Sequence, residues 1–160
     1  MIRGAHHISL CTSDLDRFLH FYHELLGMRL NGLFDIEPGD EGFETVVGMD
    51  ATAGKAALLD LGNLYMEVFC YTNPVPRPGE RRPGCDVGIR HICFDVQDIF
   101  GEYERLKAAG VESVSNPVRL GVGCASVYLY DPDGNVCELQ EIFKDSMVPP
   151  AKGLEPLEVS

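Results

Sequence analysis

The chain has 160 residues, 45% hydrophobic and 24% charged, a composition that suits one globular domain or two small fused modules. Thirteen Lys and Arg against 25 Asp and Glu leave a formal net charge of −12, which opposes binding to nucleic-acid phosphates or anionic lipid. No apolar run reaches membrane-spanning length and the first residues carry no apolar signal core. A cytoplasmic protein is therefore expected, with neither nucleic acid nor membrane as partner.

The first element expected is a strand, His7-Ile-Ser-Leu-Cys11, whose alternation sends Ile8 and Leu10 one way and His7, Ser9 and Cys11 the other. Asp14 then caps a helix in which Leu15, Phe18, Leu19, Tyr22, Leu25 and Leu26 recur at helical spacing before Gly27. The glycine- and acid-rich stretch 35–54 reads as a long loop. Strand-like runs follow, ending in Tyr65-Met-Glu67-Val-Phe69. Four prolines between Thr72 and Cys85 mark a linker, with Arg77, Arg81 and Arg82 as its basic cluster. From His91 the pattern starts again. His91-Ile-Cys-Phe-Asp-Val-Gln-Asp98-Ile99 matches His7-Ile-Ser-Leu-Cys-Thr-Ser-Asp14-Leu15 in its opening His-Ile and in the Asp seven residues after the His. Asp98 caps a second helix through Tyr103 and Leu106 to Gly110, and Asp131-Pro-Asp-Gly134 turns a hairpin between 125–130 and 135–141. The chain is thus read as a duplication: a first βαβββ module over residues 4–72, a linker 73–86, a second module 87–143 and a C-terminal tail 144–160. The fold class is α+β. Six cysteines without a C-x-x-C pair are expected as reduced thiols.

Both copies place a His and a Glu on the strand face away from the helix: His7 and Glu67, then His91 and Glu138. A lone His at a strand start is usually a satisfied polar group, and a lone strand Glu usually meets solvent. Here the same pair recurs at the same place in both copies, and Glu67 lies in an almost continuous apolar run where an unpaired carboxylate is costly. One divalent metal ion (Zn, Ni, Co, Mn or Fe) held by His7, Glu67, His91 and Glu138 accounts for all four, since imidazole and carboxylate suit borderline ions.

These features together resemble the vicinal oxygen chelate superfamily: H-x6-D-L/I, the Phe21-Tyr22 and Leu26-Gly27 pairs, Glu67 closing copy 1, and D-P-D-G-N-x-x-E-L around Glu138. The resemblance spans residues 4–143 and implies paired βαβββ modules forming a curved mixed sheet around a metal, with the same four residues as ligands. It also implies proton transfer beside a carbonyl through a metal-stabilised enediolate, on a small ketone or sugar-derived substrate. Glu138 is the expected base and Glu67 its partner. Ser9, Phe69, Tyr71, Cys93, Ser126, Tyr128 and Gln140 share the cavity face as expected substrate contacts, and a homodimer is the expected assembly. Epimerase or isomerase activity is the first reading. A glyoxalase I-type lyase, an extradiol-type ring-cleaving dioxygenase and a metal-free ligand-sequestering resistance protein are the alternatives. Metal content and oxygen uptake separate them.

Overall fold

The computed structural model describes residues 1–155. The chain divides into two units, one ending at Pro78 and the other beginning at Gly79. In the first, β1 (His7–Cys11) leads into α1 (Leu15–Leu19), and β2 (Arg29–Ile36), α2 (Glu41–Val47), β3 (Ala53–Asp60) and β4 (Tyr65–Asn73) follow. In the second, β5 (His91–Asp95), α3 (Ile99–Ala108), β6 (Val118–Leu120), β7 (Cys124–Tyr130) and β8 (Val136–Ile142) repeat the plan without a counterpart of α2. Each unit is a four-stranded mixed sheet, in the orders β1-β4-β3-β2 and β5-β8-β7-β6. The opening strand runs parallel to the closing one in both, and the remaining pairs are antiparallel. The α+β reading of two repeated modules therefore holds.

Local chemistry explains the elements. Asp14 accepts the Arg17 N–H at 3.0 Å and Asp98 accepts that of Gly101 at 3.1 Å, so both expected caps start their helices. The first helix departs from the expected regular run to Gly27. After Leu19 it widens into a π-helical segment, His20–Leu25. That extra width lets the adjacent rings of Phe21 and Tyr22 both turn inward, at 3% and 0% exposure. With Phe18, Leu59, Met66 and Val68 they make the core of the first unit, as Ile99, Leu106, Leu129, Cys137 and Leu139 do in the second. Glu141 ties α3 to its sheet by accepting the N–H groups of Asp98 and Ile99.

The long loop expected over 35–54 is corrected. Strand β2 extends to Ile36, α2 occupies Glu41–Val47, and β3 begins at Ala53. Asp40 caps α2 by accepting the Phe43 N–H at 3.0 Å, and Gly48, with φ +66°, ends it in the left-handed conformation. Glycine richness obscured a helix of seven residues with a cap at each end. At Gly54 the φ of +152° and the approach of the Cys70 carbonyl leave no room for a Cβ, which fixes a bulge where β3 meets β4.

All six cysteines are free thiols. In the linker, Arg81 lies 3.9 Å over the Tyr130 ring and pairs with Glu112 at 2.7 Å. Beyond β8, the Ala151 N–H donates to Asp95 and the Met147 N–H to the Val122 carbonyl. The last part of the expected tail, 156–160 with its Pro156, lies outside the described residues. No helix among the described residues is long and apolar enough to cross a membrane.

Candidate metal and acid–base centre

Strand register builds the same arrangement twice. In the parallel pair β1/β4, His7 lies opposite Tyr65 and Ser9 opposite Glu67. In β5/β8, His91 lies opposite Val136 and Cys93 opposite Glu138. Each His therefore sits one diagonal step from its Glu on the same sheet face. The ring nitrogen Nε2 of His7 is 3.6 Å from Oε2 of Glu67, and that of His91 is 3.1 Å from Oε2 of Glu138. Two ligands at ~2.1 Å from an ion and at right angles to each other stand ~3 Å apart. The pair in the second unit thus matches that spacing, and the pair in the first stands 0.5 Å wider. Among the described residues, no cluster of three or more His, Cys, Asp or Glu side chains gathers at one point. What the structure brings together is two donors in each unit.

The surroundings of the two carboxylates differ. The Glu67 side chain is 35% exposed, less enclosed than its apolar strand suggested, because the buried neighbours Met66 and Val68 point to the opposite face. The Glu138 side chain is 12% exposed. Its Oε1 accepts the Ser126 hydroxyl at 2.5 Å, which leaves Oε2 toward His91. Tyr128 stands directly across the β7/β8 pair from Glu138, and its ring lies 5.2 Å from that of His91. Burial, then the Glu138 carboxylate and Cys93, raise the Tyr128 phenol, so it stays a neutral donor near pH 7. Burial of the sulfur, followed by the Glu138 charge, pushes the Cys93 thiol up to about 12. Gln140 reaches Cys124 through Nε2 at 3.7 Å from Sγ, across from Ser126 in the register.

In the first unit, Ser9 faces Glu67 across the register, and Phe69 stacks on Tyr71 at 5.4 Å with 14° between the rings. Burial raises the Tyr71 phenol, with Cys11 and Glu67 adding to the effect. A neighbour adds to His7: Nδ1 of His6 lies 2.9 Å from Nδ1 of His7, and the His6 ring stacks on Tyr65. One of those two nitrogens carries the hydrogen. Beside Glu67 lies a cavity of about 410 Å³, whose wall includes Phe34, Phe43 and Phe69 with Asp35, Glu37 and Asp40. A smaller cavity of about 250 Å³ lies beside Glu138, walled by Val118, Leu120, Ser126 and Tyr128. Sequence reasoning missed the α2 side of the larger cavity. Its signal was present as Asp40 and Gly48 bracketing Phe43, Val46 and Val47.

Comparison with known proteins gives consistent results. The family model described as "Glyoxalase/Bleomycin resistance protein/Dioxygenase superfamily" matches residues 4–139. An ethylmalonyl-CoA/methylmalonyl-CoA epimerase of Cereibacter sphaeroides is 31% identical over 147 residues, covering 89% of this chain and 100% of that protein. A 2-epi-5-epi-valiolone epimerase of an Actinomyces species is 29% identical, over 85% of this chain and 78% of its own. Among solved structures, a glyoxalase family protein of Bacillus cereus superposes with a TM-score of 0.79 at 22% identity, covering 88% of this chain and 94% of its own. A mutant form of the fosfomycin resistance protein FosX of Listeria monocytogenes, complexed with Mn(II), gives 0.59 at 26% identity, over 87% and 92%.

Proposed function

Because the chain belongs to the glyoxalase/bleomycin resistance protein/dioxygenase superfamily, we propose that it is a metal-dependent epimerase or isomerase, moving a proton beside the carbonyl of a small ketone or sugar-derived substrate. The observation that carries this reading is the repeated His–Glu diagonal, with the second carboxylate buried and held by a serine hydroxyl. His7, Glu67, His91 and Glu138 are the residues that would hold a divalent ion, and a homodimer is the proposed assembly. When bound, that ion supplies Lewis acidity, easing the build-up of negative charge on neighbouring substrate oxygens.

The rest falls to the protein's own groups. Glu138 would leave the ion during turnover and take the proton on Oε2, while Ser126 holds Oε1 and fixes the plane of the carboxyl. Held in one orientation by Ser126, the same carboxyl can hand the proton back to the substrate. Tyr128 and Tyr71, both kept as phenols, offer donors to substrate oxygens. Glu67, in the more open setting, serves as the second proton carrier. None of this requires a redox change. A relative named lactoylglutathione lyase, 30% identical, supports a glyoxalase I-type lyase as the second reading, since that chemistry needs the same proton transfer. In either case the partner is a diffusible small molecule met in the cytoplasm.

The test is solvent exchange. In D₂O, with the protein loaded in turn with Zn, Ni, Co, Mn or Fe, a candidate hydroxyketone should lose its α-proton signal by NMR only when metal and protein are both present. Oxygen uptake with ring opening under Fe(II) would instead place the protein with ring-cleaving enzymes. Metal content far below one ion per chain, with no gain on reconstitution, would place it with sequestering proteins.

A further inference from the structure

We propose that His6 is a positioning residue for His7: its Nδ1 accepts the Nδ1–H of His7, which leaves the Nε2 lone pair of His7 open, beside Glu67, for a divalent ion. The inference rests on the proposed metal site and adds to it a residue outside the four donors.

Within β1 the side chains alternate, so a strand neighbour of His7 would point to the opposite face. His6 precedes the strand and escapes that rule. Its ring comes back to the His7 side, Nδ1 to Nδ1 at 2.9 Å, with ring centroids 5.1 Å apart and planes at 89°. His6 is exposed, and what holds its ring there is a stack on Tyr65, 5.4 Å between centroids and 25° between planes. Tyr65 lies opposite His7 in the β1/β4 register, two residues before Glu67 and on the same strand face. Both nitrogens of the His7 imidazole are therefore met. Oε2 of Glu67 stands 3.6 Å from Nε2, and His6 stands 2.9 Å from Nδ1.

A neutral imidazole carries one hydrogen, and a metal ion takes the nitrogen without it. Nε2 is the nitrogen beside the Glu67 carboxylate, so the hydrogen belongs on Nδ1, where it needs an acceptor. His6 supplies one, the usual outer partner of a ligating histidine. If His6 were the donor instead, the hydrogen of His7 would sit on Nε2, too far from Oε2 for a good hydrogen bond and blocking the ion. A third arrangement has both Nδ1 atoms hold the ion themselves. Against it, no third His, Cys, Asp or Glu donor joins them at one point among the described residues. In the second unit Arg90 occupies the place of His6, and its Nε donates to the Ile89 carbonyl. There the fixed donor is the carboxylate, held by Ser126. Each unit thus steadies one member of its pair, the acid in the second and the imidazole in the first.

The experiment is Zn(II) titration of the full chain, followed by calorimetry and by long-range ¹H–¹⁵N NMR of the histidine rings, so that it reads without turnover. In the Zn-loaded protein His7 should hold the ion at Nε2 and its hydrogen at Nδ1, and neither His6 nitrogen should show a coordination shift. Two variants separate the acceptor from the stack. His6→Asn keeps an acceptor oxygen at the place of Nδ1 and gives up the ring, whereas His6→Phe keeps the ring on Tyr65 and gives up the acceptor. His6→Phe should weaken Zn(II) binding by about tenfold, and His6→Asn should stay within about threefold of the unaltered chain. His6 lies ahead of β1 and outside the core, and circular dichroism checks that both variants fold. The inference is overturned if His6→Asn binds as weakly as His6→Phe, or if His6→Phe binds as well as the unaltered chain. A coordination shift on His6, or Zn(II) held through Nδ1 of His7, overturns it equally. Failure of the underlying reading looks different. An unaltered chain that binds no Zn(II) removes the metal site and the role of His6 together. The expected order of affinities without deuterium exchange into a hydroxyketone removes proton transfer alone and leaves His6 its role.

Discussion

The two His–Glu pairs share one register and live in different surroundings. Glu67 is about a third exposed and has an imidazole at 3.6 Å, whereas Glu138 is nearly buried, with an imidazole at 3.1 Å and a serine hydroxyl at 2.5 Å. The strand positions facing the two acids differ correspondingly: Leu58 lies opposite Glu67 where Tyr128 lies opposite Glu138, and Ala56 stands where the second unit has Ser126. The two units share one frame, and Ser126 on the facing strand makes one carboxylate a fixed, partnered group. The lesson is that backbone register sets where donors meet, while the facing strand sets what each donor can do.

That contrast is open to attack at its strongest point first. Glu138→Gln should lower solvent exchange or turnover by about 10²- to 10⁴-fold, the usual worth of a positioned base, with Glu67→Gln costing clearly less in the same assay. Equal losses would mean that burial and the serine contact do not distinguish the two acids. Next comes metal. If the pairs act on one ion, titration should saturate at one per chain, and His7→Ala and His91→Ala should each weaken binding by about tenfold or more. Saturation at two ions per chain would separate the pairs. Third, Ser126→Ala leaves Oε1 of a buried carboxylate without its donor, and thermal or urea unfolding should register a loss of about 1–3 kcal/mol.

The smallest expected effect concerns acid stability. Asp60 in the first unit is nearly buried and holds the Gly62 N–H, Arg29 and Asn31, whereas the matching position in the second is Tyr130 under Arg81. The Gly62 N–H above all, helped by Arg29 and Asn31 against the opposing pull of burial, keeps the Asp60 carboxyl below its ordinary range. A carboxyl depressed on folding stabilises the protein above its unfolded value near 4, and that contribution fades as pH falls through the lower folded value. Asp60→Asn should therefore flatten the acid limb of a plot of Tm against pH, and an unchanged limb would remove Asp60 from the account.

Much of the fold was legible because its signals are local and repeated. Two His-Ile openings and two capping Asp residues announce a duplication, and Asp131-Pro-Asp-Gly134 announces the β7/β8 hairpin before any coordinates are seen. Face assignment followed from alternation, so His7 with Glu67 and His91 with Glu138 could be placed on shared faces. Helix α2 escaped because its seven residues carry only one Phe and two Val beside one glycine, two glutamates and a threonine, too short a stretch for a period to show. The widening of the first helix after Leu19 escaped too, since i→i+5 bonding answers to packing of Phe21 and Tyr22 rather than to propensity. Nor could sequence tell the burial of Glu67 from that of Glu138. Both sit between apolar neighbours, and the difference arises from which residues the strand pairing sets against them on β3 and β7.

One carboxylate shapes how this chain can vary. Oε1 of Glu44 accepts the N–H of Gly39 at 3.0 Å and that of Thr52 at 3.1 Å, clasping both ends of the excursion that carries α2. Asn73 adds a second clasp at the Ala51 carbonyl. An excursion shut at its own neck behaves as a cassette: with Glu44 kept, the rest of its contents can be lengthened, trimmed or exchanged while the strands on either side keep their register. Variation there is thereby uncoupled from the strands that carry His7 and Glu67, and a graft between Gly39 and Thr52 that keeps Glu44 is the natural place for an engineer to begin.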